Sequence, residues 1–381
     1  SQSAQQYTPE EALTSQNPFT IKEVNEVCGQ SKLNLLCQAY QAAALNHLPE
    51  AEDILTNWLK NPTDPQWVSQ TQTKLASTLI LQGKLGLGAN IYTQMISPKL
   101  PESSRKSLQN AATLFGAFKD VPLMQVIAPS GNYPIRWDEV NIPRIMLNSS
   151  NNQSVEALID TGANLSTISK SAAKRLGLKV IEGSVQIHDS GGLFTSSGFA
   201  YAPSLSIGDI KLSNIPFLIL DDQSMIVKKD KSITLKKDYE MEMILGLPVI
   251  MKLGRIELHR DGHMIISKDS SKSETNLFLD HFELAVRTNL ENTPIDLMVD
   301  TGARSSYLGE GFKALAGKTW DSYNPTSSTH TSGGVGGLVT SKITNLRNVN
   351  LKLNQQNLNW KEISFYPNRN VAQGRLHGVI G

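Results

Sequence analysis

Two aspartates, Asp160 and Asp300, sit in near-identical surroundings. The first lies in ALIDTGANLSTIS, which starts at Ala157, and the second in LMVDTGARSSYLG, which starts at Leu297. Each time an apolar run leads into Asp-Thr-Gly-Ala and then into a polar, hydroxyl-rich turn. Two carboxyls brought face to face cannot both ionise cheaply, so they share a proton. One can then act as base toward a water while the other gives its proton to a carbonyl oxygen. A pair of this kind could open an amide bond with no metal and no covalent intermediate. Its titration would belong to the pair and not to either acid alone. The glycines that follow, Gly162 and Gly302, would let backbone come close to the carboxyls and leave their N–H groups pointing inward.

Further landmarks recur in the same order. With Asp300 laid over Asp160, PRIMLNSSNNQSVEALIDTGA meets FELAVRTNLENTPIDLMVDTGA, each reading as strand, turn and strand. HDSGGLF at His188 meets HTSGGVG at His330, with Gly191 placed 31 residues after its aspartate and Gly333 placed 33 after. MILG, ending at Gly246, meets GVIG, ending at Gly381, 86 and 81 residues after the respective aspartates. The Ser190-Gly191-Gly192 and Ser332-Gly333-Gly334 segments are candidate hairpin tips that could close over an extended peptide and bond to it as an added strand. SGGVGG is not a phosphate loop, because no Gly-Lys-Ser/Thr follows it. No Gly-x-Ser-x-Gly elbow is present for a serine hydrolase.

Residues 141 to 381 resemble the aspartic peptidases, in their retropepsin-like branch, on the two Asp-Thr-Gly-Ala turns, the apolar-apolar-Gly segments and the Gly-rich hairpins. The resemblance implies two lobes fused in tandem, each giving one aspartate to a shared cleft, with Asp160 and Asp300 catalytic. It implies that Thr161 and Thr301 cross-link the two turns beneath the site, and that MILG and GVIG pack under them. Ala163 and Ala303 stand where pepsin-like enzymes carry Ser or Thr. That exchange removes a hydrogen bond to the ionised acid and implies an optimum less acidic than pepsin's. His188 and His330 are read as surface residues of the hairpin strands, or as groups that make hairpin closure sensitive to mild acid. Two other readings stay open: a catalytically silent peptide-binding or scaffolding protein, and lobes that pair with their twins on a second chain. After MILG the first copy continues into a further hairpin, while the second stops at Gly381. Either the chain is cut short there or the second lobe is incomplete at its base.

The elements that must position these residues divide the chain. Residues 1–120 read as an all-α domain. Leu33, Leu36, Tyr40 and Ala43 form one helical stripe, and Leu108, Ala111, Ala112, Phe115 and Phe118 form another. LPEAEDILTNWLK and GLGANIYTQMI resemble each other at an offset of 38 (Ala51 over Ala89), near the period of tetratricopeptide-like helix pairs. That region is read either as a surface for a protein partner or as an ordinary bundle. Residues 121–140, with three prolines, read as a linker or packing strap. From residue 141 the pattern alternates as in strands. It gives a first lobe at 141–268, a join at 269–276 and a second lobe at 277–381. Asp261-Gly262 marks a hairpin. The lysine-rich stretch from Val227 reads as a solvated loop, and Trp320 and Trp360 as core.

The formal net charge of +1 in 381 residues gives no field that would recommend nucleic acid. No apolar run reaches the ~20 residues of a membrane span. No Cys-x-x-Cys or His-Glu-x-x-His spacing suggests a metal, and no organic cofactor is implied. The expected partner is a peptide or protein substrate. Cys28 and Cys37 would lie ~13 Å apart in one unbroken helix, too far to bond. Gly29 could end that helix and let the chain fold back, so both a disulfide and two buried thiols stay open. The chain begins at Ser1, which fits removal of a signal peptide or of a fusion remnant, and its polar opening fits a bacterial-type exported protein. The expected compartment is periplasmic or secreted.

Overall fold

Helical periodicity in the first third becomes seven helices among the described residues. They are α1 (Pro9–Ser15), α2 (Pro18–Glu23), α3 (Asn34–Ala44), α4 (Leu48–Lys60), α5 (Val68–Leu81), α6 (Leu85–Met95) and α7 (Glu102–Gly116). The computed structural model describes residues 7–24, 28–188, 194–229, 235–268, 276–334 and 337–381. Local chemistry sets the helix starts. Thr8 and Glu11 form a reciprocal capping box on α1, and Asn17 caps α2 ahead of a proline in its first turn. Leu33, Leu36, Tyr40 and Ala43 are all buried, as their spacing predicts. Each helix from α3 to α7 packs on the next, and Ala51 and Ala89 are both buried near the starts of α4 and α6. The chain turns between Cys28 and α3, which brings the two cysteine Cα atoms to 6.2 Å, and the thiols are joined in a disulfide.

The remaining chain forms two β halves. The first contains β1 (Gln125–Ile127), β2 (Gly131–Pro134), β3 (Arg136–Trp137), β4 (Pro143–Ser149), β5 (Ser154–Ile159), β6 (Ser166–Ser169), β7 (Lys179–His188) and β8 (Phe194–Ile207). It continues with β9 (Ile210–Leu220), β10 (Ile226–Val227), β11 (Tyr239–Glu240), β12 (Met243–Leu245), β13 (Arg255–His259) and β14 (His263–Ser267). Helix α8 (Lys170–Leu176) follows β6, and α9 (Leu247–Lys252) follows β12. The second half contains β15 (Leu277–Asp280), β16 (Glu283–Leu290), β17 (Thr293–Val299), β18 (Tyr307–Leu308), β19 (Thr326–Gly334), β20 (Gly337–Leu353), β21 (Gln356–Phe365) and β22 (Gly378–Ile380).

The main sheet of the first half runs β1-β9-β6-β12-β5-β4-β8-β7, and β8 also pairs with β9. The second runs β15-β16-β17-β22-β18-β21-β20-β19, and β16 also pairs with β20. Their centres share one plan, β9-β6-β12-β5-β4 in one and β21-β18-β22-β17-β16 in the other. In each, a short apolar strand lies parallel to the strand that ends in the aspartate: Leu245 opposite Ile159, and Ile380 opposite Val299. Parallel strands buried on both faces need unbroken apolar residues, which accounts for MIL and GVI. The stretch 121–140 supplies β1, β2 and β3, which pair with β9, β14 and β4. The Asp261-Gly262 hairpin joins β13 to β14, with Gly262 at φ +103°.

The helical layer is packed against both halves. Phe118 meets Phe199 of β8 edge-on at 5.6 Å, and Phe19 meets Phe278 of β15 edge-on at 5.0 Å. Phe115 stacks on Phe282 at 6.5 Å. Around Phe118 and Phe199 lie Ile80, Leu85, Leu165 and Val185, all buried in one cluster. Burial of each such aromatic contributes roughly 1.5–3 kcal/mol, so these contacts fix the layer in place. Asn110 donates to the carbonyl of Gln186 in β7 at 3.4 Å, and Arg287 of β16 reaches Glu23 of α2 at 3.0 Å. Trp320 packs edge-on against Phe365 at 5.0 Å and Trp360 packs against the second core.

Candidate active site

Each acidic turn hangs from the end of a buried strand. The Asp160 N–H donates to the carbonyl of Leu245 at 3.0 Å, and the Ala163 N–H closes the turn on the Asp160 carbonyl at 3.2 Å. In the second half the Asp300 N–H donates to Ile380 at 2.9 Å, and Ala303 closes on Asp300 at 3.1 Å. Gly162 N–H donates to Asp160 Oδ1 at 2.9 Å, and Gly302 N–H does the same for Asp300 Oδ1 at 2.9 Å. MILG and GVIG lie beneath the turns. Gly246 N–H donates to Ser166 Oγ at 3.0 Å and Gly381 N–H to Ser306 Oγ at 3.1 Å. A methyl on Gly246 would strike the Ala163 carbonyl, and one on Gly381 would strike the Ala303 carbonyl.

The two turns are bonded to each other through their threonines. Thr161 Oγ1 donates to the Val299 carbonyl at 2.8 Å and accepts the Thr301 N–H at 3.0 Å. Thr301 Oγ1 donates to the Ile159 carbonyl at 2.6 Å and accepts the Thr161 N–H at 3.0 Å. Four bonds related by a pseudo-twofold bring Asp160 and Asp300 together, each carboxyl lying against the glycine of the other turn. The glycines serve the opposite acid as well as their own. A Cβ on Gly162 would collide with the Asp300 carboxyl, and a Cβ on Gly302 with the Asp160 carboxyl. Neither glycine has a positive φ, so what fixes the residue type is space and not backbone conformation.

Burial holds the Asp160 carboxyl well above the ordinary carboxylate range, and the charge of Asp300 and the hydrogen bond to it push the same way. The Gly162 N–H works against this by favouring the ionised form. Ala163 packs against the buried cluster that includes Val227 and Ala303 against the one that includes Val379, and a methyl offers the acids no donor.

The first hairpin tip, Ser190, Gly191 and Gly192, lies outside the described residues. The second comes from β19 and β20, where Gly333 pairs with Leu338 and Gly334 with Gly337. A methyl on Gly333 would press on Leu338 and on Val227 of β10, so this hairpin reaches across to the first half. Ser332 pairs with Val339 in the same ladder. His330 meets Tyr366 edge-on at 6.2 Å, and burial together with Arg304 and Arg369 lowers its pKa. His188 ends β7, opposite Phe194.

Near Asp300 stands a group that spacing did not reveal. The Arg369 guanidinium lies 4.0 Å from the centre of the Tyr366 ring and 4.9 Å from that of Tyr307. Its residues come from β18 and the loop after β21, so no periodic pattern links them. Among the described residues no cluster of three or more His, Cys, Asp or Glu side chains is arranged to hold a metal ion.

Comparison with known proteins gives a partial match. A model of the aspartyl protease family fits residues 146–249. Among solved structures, a retropepsin-like aspartic protease from Rickettsia conorii aligns at 18% identity over 38% of this chain and 92% of its own, with a TM-score of 0.23. No curated protein matches the chain. Residues 146–249, which include Asp160 and its turn, are therefore similar to the aspartyl protease family, and Asp300 lies outside the matched stretch.

Proposed function

We propose that the chain is an aspartic endopeptidase in which Asp160 and Asp300, one from each of two tandem lobes, form a single dyad. The observation that carries this reading is the reciprocal Thr161/Thr301 bonding, which runs within one chain and holds two carboxyls in contact. Nothing about a structural turn calls for two like charges to be pressed together, since such contact costs stability unless a proton is shared. The same bonding favours intrachain lobes over pairing of each lobe with its twin on another molecule.

In this reading a water lies between the carboxyls and the carbonyl carbon of an extended peptide. The ionised acid takes a proton from the water as its oxygen bonds to carbon, and the protonated acid, written here on Asp160, gives its proton to the carbonyl oxygen. The neutral gem-diol then collapses: the C–N bond breaks, one hydroxyl proton returns to the dyad, and the amine leaves with a proton from the other acid. The Gly162 and Gly302 N–H groups hold the carboxyls in place throughout. The raised pKa of Asp160 supports a working range less acidic than pepsin's, with activity lost as pH climbs past the loss of the shared proton. The Cys28–Cys37 disulfide supports an oxidising compartment, periplasmic or secreted.

The test is digestion of a degenerate peptide mixture between pH 3 and 8, read by mass spectrometry. Internal cleavage peaking above about pH 3 is expected, given the ~3.9 at which an ordinary aspartate is half ionised. No cleavage at any pH would overturn the reading and leave a binding cleft.

A further inference from the structure

The inference rests on the peptidase reading and concerns which side chain the cleft accepts. A polar pocket of about 390 Å³ opens beside the second acidic turn, between Ser305–Ser306 and strands β19, β20 and β21. Strand register explains why the lining is polar. Asn345 stands opposite Ser364, and Ser328 of β19 pairs with Ile343, two positions from Asn345 on β20. Residues two apart on a strand share a face, so Ser364 brings Glu362 onto the same wall. Asn345 Nδ2 donates to Ser328 Oγ at 2.8 Å, which leaves the Asn345 carbonyl oxygen as an acceptor.

Glu362 is exposed and makes no hydrogen bond or ion pair with another described residue. Arg347 stands directly across the β20–β21 ladder and does not pair with it. The nearby Arg369 is engaged with the rings of Tyr366 and Tyr307. The walls therefore present a carboxylate, an amide carbonyl, several hydroxyls and the His330 ring, while Ile363, between Glu362 and Ser364, turns its side chain to the core on the other face. We infer that this pocket is a specificity subsite that takes a long substrate side chain ending in a hydrogen-bond donor, glutamine, lysine or arginine, with Glu362 as the acceptor that selects it. A leucine or methionine placed there would strip water from these groups and return no hydrogen bond, which is the stronger form of discrimination open to a binding site.

The experiment is the cleavage profile of the full chain on a degenerate peptide mixture at pH 6, for the wild type, Glu362→Leu and Glu362→Lys. Glutamine, lysine and arginine are expected to be enriched about tenfold over leucine and methionine at one fixed distance from the cut bond. Glu362→Leu is expected to reverse that preference toward leucine and methionine, and Glu362→Lys to turn it toward aspartate and glutamate. The gain of a new preference can come only from folded enzyme. Cleavage by the wild type with no such enrichment, or variants that keep the wild-type profile, would overturn this inference alone. No cleavage by the wild type would overturn the peptidase reading and this inference with it.

Discussion

At the second position of each acidic turn a threonine performs two tasks that few side chains could combine. Its hydroxyl donates to a carbonyl of the opposite half and accepts the N–H of the opposite threonine. Valine has nearly the same shape and can do neither. Thr161→Val is expected to leave the Thr301 N–H and the Val299 carbonyl without partners, at a cost of roughly 1–3 kcal/mol. The loss should appear in denaturant unfolding and, because the dyad is then held less firmly, as a fall in kcat larger than any rise in KM. The double variant Thr161→Val/Thr301→Val should cost less than the sum of the two, since the four bonds form one network. Unchanged stability and kcat in Thr161→Val would remove the threonines from the account.

Between elements, the junction of α5 with the β15–β16 hairpin buries an ionisable cluster. Lys74 of α5 faces Asp280, His281 and Glu283, and Arg375 pairs with Asp280 at 2.9 Å. Burial pushes Glu283 up to about 7, helped by the charge of Asp280. It pushes Lys74 down to about 8 and His281 well below the usual imidazole value. Folded Glu283 therefore keeps a proton that the unfolded chain, with an ordinary value of 4.5, has released. Its contribution to stability is complete below pH 4.5 and is lost as pH rises to about 7. The Lys74 contribution changes only above about pH 8 and does not overlap that window. His281, kept neutral by the fold, adds stability as pH rises toward 6.5 and so opposes this fall. The Glu283 effect is read by difference in thermal unfolding, and the Tm of Glu283→Gln minus that of the wild type is expected to grow between pH 5 and 7.5. Equal slopes in the two proteins would place the pH dependence elsewhere.

Over the whole molecule, legibility followed repetition. Asp160 and Asp300 stood out because the turn occurs twice with its glycines, its hairpin and its apolar strand in the same order. The helices of the first third stood out because their stripes repeat at 3.6 residues. What stayed hidden comes from single contacts between distant segments. Phe118 on Phe199 and Phe19 on Phe278 fasten the helical layer to both β halves, and neither pair leaves a periodic trace. The strands of residues 121–140 are two to four residues long, too short for alternation to show among three prolines. The cysteine pair stayed open because spacing alone does not tell where a chain turns back. The close fit of Gly162 against Asp300 joins residues 138 apart, while in sequence each glycine stands only beside its own acid.

The central claim is that the two acids work as one dyad inside one chain. Its most direct test is the peptide-cleavage rate of Asp160→Asn, of Asp300→Asn, and of their equimolar mixture after unfolding and refolding together. The account predicts that all three fall at least about a thousandfold below the wild type, in line with losing a general acid or base, because no chain in any of them holds both carboxyls. Activity retained by either variant alone, or recovered on mixing, would contradict it and assign catalysis to carboxyls paired between chains.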